Sequence, residues 1–205
     1  MNASPFDLAK SALADATRVV EELDATAFES FAQSIAGAKT IALHGLGREG
    51  LQMKGLAMRL FHLGLDAHVV GEMTMPPIGA GDLLIVSAGP GDFASIAALM
   101  KIAKDAGART AVVTAQPASS LARSADHVLH IPAQTMADDQ GGKTSVLPMG
   151  SLFELSQMLV FELLALRLRD IAGETAVSMR AAHQSGVRVS GGFCSLPSRT
   201  RPARG

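Results

Sequence analysis

Two hydrophobic periods alternate along this chain, and the switches between them divide it into elements. Ser4 followed by Pro5 reads as an N-cap with proline at the first helical position, and Asp7 stands where it would complete a capping box. Apolar residues then recur at helical spacing through Leu23. Asp24 is placed to cap a second helix that reaches about Ala36. From residue 39 onwards, short apolar runs of strand length take turns with helical stretches. The runs at 39–44 (KTIALH), 66–70, 82–87 (DLLIVS), 109–114 (RTAVVT) and 127–131 predict five strands. Helical spacing predicts helices over 48–63, 93–106 and, briefly, 119–123, with Gly64 as the stop of the first. A polar loop follows over roughly 132–149. A long apolar helix begins near Gly150, and a last helix runs to about His183.

The five runs are apolar throughout rather than alternating, which is the pattern of strands covered on both faces and so of a parallel sheet. Right-handed crossovers then give a three-layer α/β/α sandwich around a five-stranded parallel sheet, flavodoxin-like, with all strand carboxyl ends on one edge. Ligands bind at that edge, so the loops of interest are 44–50, 71–78, 87–93, 114–119 and 132–150. Residues 1–185 are expected to form one domain that opens with the helices of 1–36. Residues 186–205 hold four arginines and no acid among many Gly, Ser and Pro, and read as a basic tail without structure. The helix over 150–170 is apolar on more than one face, with Leu152, Phe153, Leu155, Met158, Leu159, Val160, Phe161, Leu163, Leu164 and Leu166. A helix apolar nearly all round must be covered on several sides, so a homodimer or homotetramer is expected.

Composition narrows the function classes. With 48% apolar residues in 205, the chain can build a real core. Eighteen basic residues balance nineteen acidic ones, which excludes a strongly basic nucleic-acid binder. Aromatic residues make up 4%, with no Trp and no Tyr, so base-stacking platforms are not expected. A single cysteine, Cys194, excludes a disulfide framework and a cysteine-rich zinc site, and His127 and His130 lack metal-ligand spacing; no metal is expected. No signal-peptide core is visible, and the apolar stretch 158–168 carries Glu162 and Arg167, so a cytoplasmic protein that does not enter membranes is expected.

Candidate chemistry sits in two glycine-rich loops. Gly45, Gly47, Arg48, Glu49 and Gly50 form G-x-G-x-x-G between a strand and a helix, where a backbone can approach a ligand and helix N–H groups are free. Glu72, just after the second strand, could serve as the ribose-binding acid of a dinucleotide site, which keeps a dinucleotide-binding reading open. The second loop holds Ser87, Gly89, Pro90, Gly91 and Asp92. Two such loops on one edge point to a small polyol or sugar held between them, with no cofactor.

The run at 57–78 (AMRLFHLGLDAHVVGEMTMPPI), the segment 82–85 and above all 145–154 (SVLPMGSLFE) resemble the sugar isomerase (SIS) domain, and within it the 6-phospho-3-hexuloisomerases. The resemblance covers nearly the whole chain up to about His183. It implies an α/β sandwich, dimers or tetramers, and isomerisation of a 3-hexulose phosphate through an enediol(ate) without metal or nucleotide. It also assigns roles. The glutamate ending LPMGSLFE, here Glu154, is the candidate base, with Ser151 beside it at the helix start. His183 takes the place of a histidine near the family's C-terminus. The chemistry agrees with these residue types, since moving a ketose carbonyl needs a base to shuttle a proton between carbons and an acid to serve the oxygens.

The departures concentrate at one end of the site. Where the resembling proteins have hydroxyls for phosphate in an S-G-S-G-x-T loop, this chain reads Ala88, Gly89, Pro90, Gly91, Asp92 and Phe93. Glu49 replaces a serine of the first loop. Hydroxyls are lost and two carboxylates, Glu49 and Asp92, are gained, which opposes a phosphate dianion. Asp92 also reads as a cap of the helix that follows it. The expected function is a sugar or phosphosugar isomerase whose substrate differs from the usual phosphosugar. A non-catalytic carbohydrate-derivative-binding or regulatory module, the dinucleotide reading, and an oligomerisation module with a degenerate site stay open beside it.

Overall fold

The structure, a computed structural model, describes residues 4–139 and 144–173. The last helix expected towards His183, His183 itself and the tail 186–205 lie outside the described residues.

Two helices open the chain, α1 (Pro5–Glu21) and α2 (Ala25–Ala36). Asp24 caps α2 as expected, accepting from the backbone N–H groups of Thr26 at 2.8 Å and Ala27 at 3.0 Å. The capping box at α1 does not form. Ser4 accepts from Phe6 N, but the Asp7 carboxylate pairs with Lys10 one turn further on. Aspartate is one methylene shorter than the glutamate that closes such a box, so it does not reach back to the cap.

Strands and helices then alternate: β1 (Ile41–Gly45), α3 (Gly47–His62), β2 (Ala67–Val69), β3 (Leu83–Ser87), α4 (Ala94–Asp105), β4 (Arg109–Thr114), α5 (Ser120–Ser124), β5 (His127–His130) and α6 (Ser151–Ala172). All strand pairs are parallel, in the order β2-β1-β3-β4-β5. The expected five-stranded parallel sandwich is therefore what the chain forms. The sheet order reverses at β1, between β2 and β3, and this is where a crevice opens at the carboxyl edge of such a sheet.

Alternate strand residues feed two cores. Ile41, Leu43, Leu83, Ile85, Ala111, Val113 and Leu129 face α2, α3 and α6 together with Phe31, Met53, Phe153 and Val160. Ala42, Leu84, Val86 and Val112 face α4 and α5 through Ile96, Met100 and Leu121. The first core is the larger. There α6 packs on α1, α2 and α3, with Leu152, Phe153, Val160, Phe161 and Leu164 buried. Its opposite side, Leu155, Met158, Leu159 and Leu166, is exposed.

The approach to α6 is held by long-range polar contacts. Asp15 of α1, itself buried, accepts from Ser145 Oγ at 2.7 Å, and Ser145 Oγ accepts from Leu147 N at 3.1 Å. Gln134 Nε2 donates to Met149 O at 3.1 Å, and Met149 N donates to Asp139 Oδ2 at 2.7 Å. Met149 has φ of 54°, the sole left-handed non-glycine among the described residues, and these bonds keep it there. The result is a fixed start for α6 at the sheet edge.

Candidate functional site

At the carboxyl edge a cleft of about 350 Å3 opens between the first turn of α3, the β3–α4 loop and the first turn of α6. It is lined by Gly47, Arg48 and Glu49 on one side and Gly150, Ser151 and Glu154 on another. Neither α3 nor α6 has a side chain capping its first turn; α3 presents free backbone N–H groups at this edge, whereas in α6 Ser151 N donates to Pro148 O at 3.1 Å and Phe153 N to Gln134 O at 3.3 Å.

Glu154 lies in the first turn of α6 with its side chain 15% exposed. Its Oε2 stands 2.8 Å from Arg48 Nε, a close charge pair across the cleft. The Nε–H does not point along that contact, and buried Oε2 has no aligned hydrogen-bond donor among the described residues. The Arg48 side chain is 69% exposed and reaches in from solvent.

Glu49 is held differently. Its Oε2 accepts from Ser87 Oγ at 2.5 Å and from Gly89 N at 2.9 Å. Ser87 is in turn a hydrogen-bond acceptor of Gln157 Nε2, at 2.6 Å, and both Ser87 and Gln157 are fully buried. Burial pushes the Glu49 carboxyl above the usual carboxylate range. Its bonds from Ser87 and Gly89 oppose that shift, and the charge of Glu154 adds to it. Gly89 is where this arrangement needs a glycine. A Cβ there would lie 2.7 Å from the Phe153 ring and 2.8 Å from Glu49 Oε1.

The remaining expected residues divide. Gly45 pairs with Ser87 in the β1–β3 register and lies behind the cleft. A Cβ on Gly50 would come within 2.5 Å of the Gly45 carbonyl oxygen, so the G-x-G-x-x-G spacing serves the close packing of α3 on β1. Glu72 folds back on its own turn, accepting from Val69 N at 3.3 Å. Asp92 does not cap α4, as the sequence had led one to expect, nor does it line this cleft. It accepts from Leu121 N at 2.9 Å and Ser120 N at 3.2 Å, and so holds the start of α5. The Leu121 bond first, then Ser120, holds its carboxyl below the usual range. Gly91 likewise faces Gln116 and Ser119 rather than the cleft. His44, at the end of β1, is depressed by burial.

Several participants had no binding role assigned from the sequence. Leu46, Pro90, Phe93, Met136, Pro148 and Met149 make an apolar wall. Gln157, one turn after Glu154, carried a usable signal, since it is a polar residue on the inward side of an otherwise apolar stretch. Among the wall residues, Pro90 and Phe93 stand where the resembling proteins have loop hydroxyls and Pro148 and Met149 fall within SVLPMGSLFE, while Leu46 and Met136 carried no signal. Among the described residues, no group of three or more His, Cys, Asp and Glu could hold a metal ion, and no helix is long and apolar enough to cross a membrane.

Comparison with known proteins places this geometry. Residues 34–159 match the SIS domain family. The chain belongs to that family. The SIS-domain stretch runs from the end of α2 into α6 and so contains both glycine loops and Glu154. The chain is 34% identical over 155 residues to a 3-hexulose-6-phosphate isomerase of Bacillus subtilis, covering 76% of this chain and 84% of that protein. It is 43% identical over 131 residues to a 3-hexulose-6-phosphate isomerase of Mycobacterium gastri, covering 64% and 65%. Among solved structures, the crystal structure of a hypothetical protein superposes with a TM-score of 0.79 at 29% identity, over 87% of this chain and 95% of that one. The resemblance seen in SVLPMGSLFE and AMRLFHLG is thus borne out at the level of family.

Proposed function

We propose that this SIS-family isomerase moves the carbonyl of a six-carbon ketose to a neighbouring carbon through an enediol(ate), with Glu154 as the base. The observation that carries this reading is the Glu154 carboxylate. It is largely buried at the cleft floor, with one oxygen lacking an aligned donor and one cation, Arg48, at 2.8 Å. A base for this task must be held near its substrate yet keep a lone pair free for the incoming proton. Glu154 would take the proton from the hydroxyl-bearing carbon next to the carbonyl. The electron pair shifts into the enediol(ate), and Glu154 returns the proton to the former carbonyl carbon. No oxidant or reductant is consumed. Arg48 would balance the charge that develops on the oxygens. His183, assigned as the acid by resemblance, is the candidate for proton traffic at those oxygens. The cleft volume is at the small end of ligand sites, which suits a monosaccharide better than a dinucleotide.

Support also comes from the relatives named 3-hexulose-6-phosphate isomerase, whose reaction is of this type. The test is solvent exchange. The full chain is incubated in deuterium oxide with fructose and, separately, with fructose 6-phosphate, and the recovered sugar is analysed by mass spectrometry. Deuterium on carbon with the native chain, and at least a hundredfold slower with Glu154→Gln, is the expected result. Exchange that survives Glu154→Gln unchanged would reject Glu154, and no exchange into either sugar would reject the isomerase reading.

A further inference from the structure

Given the isomerase reading above, on which this inference rests, the bonding of Glu49 bears on what the sugar carries at its far end. From Ser87 to Gly91 the turn that leaves β3 has its polar hydrogens already assigned. Ala88 N donates to Val113 O at 2.9 Å, and Gly91 N donates to Ala88 O at 3.0 Å. Pro90 has no N–H to give. The two remaining donors of that stretch, Ser87 Oγ and Gly89 N, both go to one oxygen of Glu49. Gln157 Nε2 occupies a lone pair of Ser87, so the hydroxyl proton is directed at Glu49. The loop is shaped around that carboxyl, because any side chain at Gly89 would collide with Glu49 Oε1 and the Phe153 ring.

Charge points the same way. The described lining residues include two carboxylates, Glu49 and Glu154, and one cation, Arg48, which is already paired with Glu154. The rest of the wall next to this loop, Pro90 and Phe93, is apolar. A phosphate dianion placed against the loop would meet a buried carboxyl where it needs donors.

We propose that Glu49 is the specificity-determining residue of this site: its carboxyl occupies the Ser87 and Gly89 donors and selects an uncharged, hydroxyl-bearing sugar end over a phosphorylated one. Glu49 Oε1, which takes neither of these bonds, can accept from a sugar hydroxyl, so the same group that repels an anion recognises a polyol. Glu49 acts here on binding, and Glu154 on chemistry, so the two assignments can fail separately.

Calorimetry tests the assignment with fructose and fructose 6-phosphate as probes, on the full native chain and on Glu49→Ser and Glu49→Gln. The native chain is expected to bind fructose at least tenfold more tightly than fructose 6-phosphate. Glu49→Ser is expected to reverse the order, with a gain of tenfold or more for the phosphorylated sugar and a loss for the free one. Glu49→Gln keeps the size of the side chain and its acceptor oxygen for Ser87 and Gly89, so it controls for folding. It should gain affinity for the phosphorylated sugar in the same direction by a smaller factor. Micromolar binding of fructose 6-phosphate by the native chain, or no change of preference in either variant, overturns the assignment of Glu49 and leaves the isomerase reading standing. Binding of neither sugar by any of the three proteins overturns both.

Discussion

Arg48 Nε and Glu154 Oε2 stand 2.8 Å apart, one from the first turn of α3 and the other from the first turn of α6. The pair joins two residues more than a hundred positions apart in the chain, at the edge where the first turn of α3 presents unsatisfied N–H groups. Because the arginine is mostly exposed, the pair adds little to stability, about 0–1 kcal/mol. Arg48→Met should therefore leave the melting temperature within a degree or two while lowering kcat/KM at least tenfold. A fall in melting temperature with unchanged kcat/KM would assign the pair to folding instead.

Gly89 should tolerate no side chain. Gly89→Ala places a carbon 2.7 Å from the Phe153 ring and 2.8 Å from Glu49 Oε1, and the ring is fully buried and packed. Overpacking of this kind costs about 1–3 kcal/mol. Chemical denaturation should show that loss with an unchanged slope. A neutral substitution would mean that the loop relaxes more readily than its contacts indicate.

Two carboxyls should give opposite pH signatures in stability. Burial raises Glu49 above 4.5, so its favourable contribution is complete below that value and is lost as pH rises through the folded-state pKa. The stability of Glu49→Gln relative to native should accordingly increase from pH 4 towards pH 8. Glu29 is the reverse case. Its bidentate bonds from Arg167, each 2.7 Å long, hold it down to about 2, so its contribution is present above 4.5 and disappears as pH falls towards 2. Glu29→Gln should weaken the fall in stability over that acid window. Melting curves of the three proteins across pH 2–8 compare the two slopes directly, and slopes of equal sign would contradict the assignment.

The exposed side of α6 should decide the state of assembly. Leu155, Met158, Leu159 and Leu166 follow helical spacing along one surface stripe. Contiguous apolar surface of this kind is normally covered by a partner. Light scattering at micromolar concentration is expected to give a dimer or larger. Leu159→Lys should shift it towards monomer without loss of helical content, since the residue is 41% exposed within the subunit. A monodisperse native monomer would remove the expectation of a homo-oligomer.

Local pattern alone determined the element order, the parallel sheet and the edge on which the site lies. Those follow from period and from the sterics of short connections, and both are written in neighbouring residues: the apolar run 83–87, the cap at Asp24, the stop at Gly64. Glu154 was legible too, because its signature is a contiguous string. Partnership between distant residues was not. Asp92 and Glu49 look alike in the sequence, as carboxylates in glycine-rich strand-to-helix loops, yet Asp92 turns outward to hold α5 while Glu49 turns inward to Ser87 and Gly89. The difference arises from which neighbouring loop offers unpaired N–H groups at bonding distance, and that depends on strand order and register. The register that sets Gly45 beside Ser87 brings the Glu49 carboxyl, four residues after Gly45, within reach of Gly89. A hydrogen bond gains strength only within a few tenths of an ångström and a narrow cone, so the chain's pattern names the groups but the packed fold selects which of them meet.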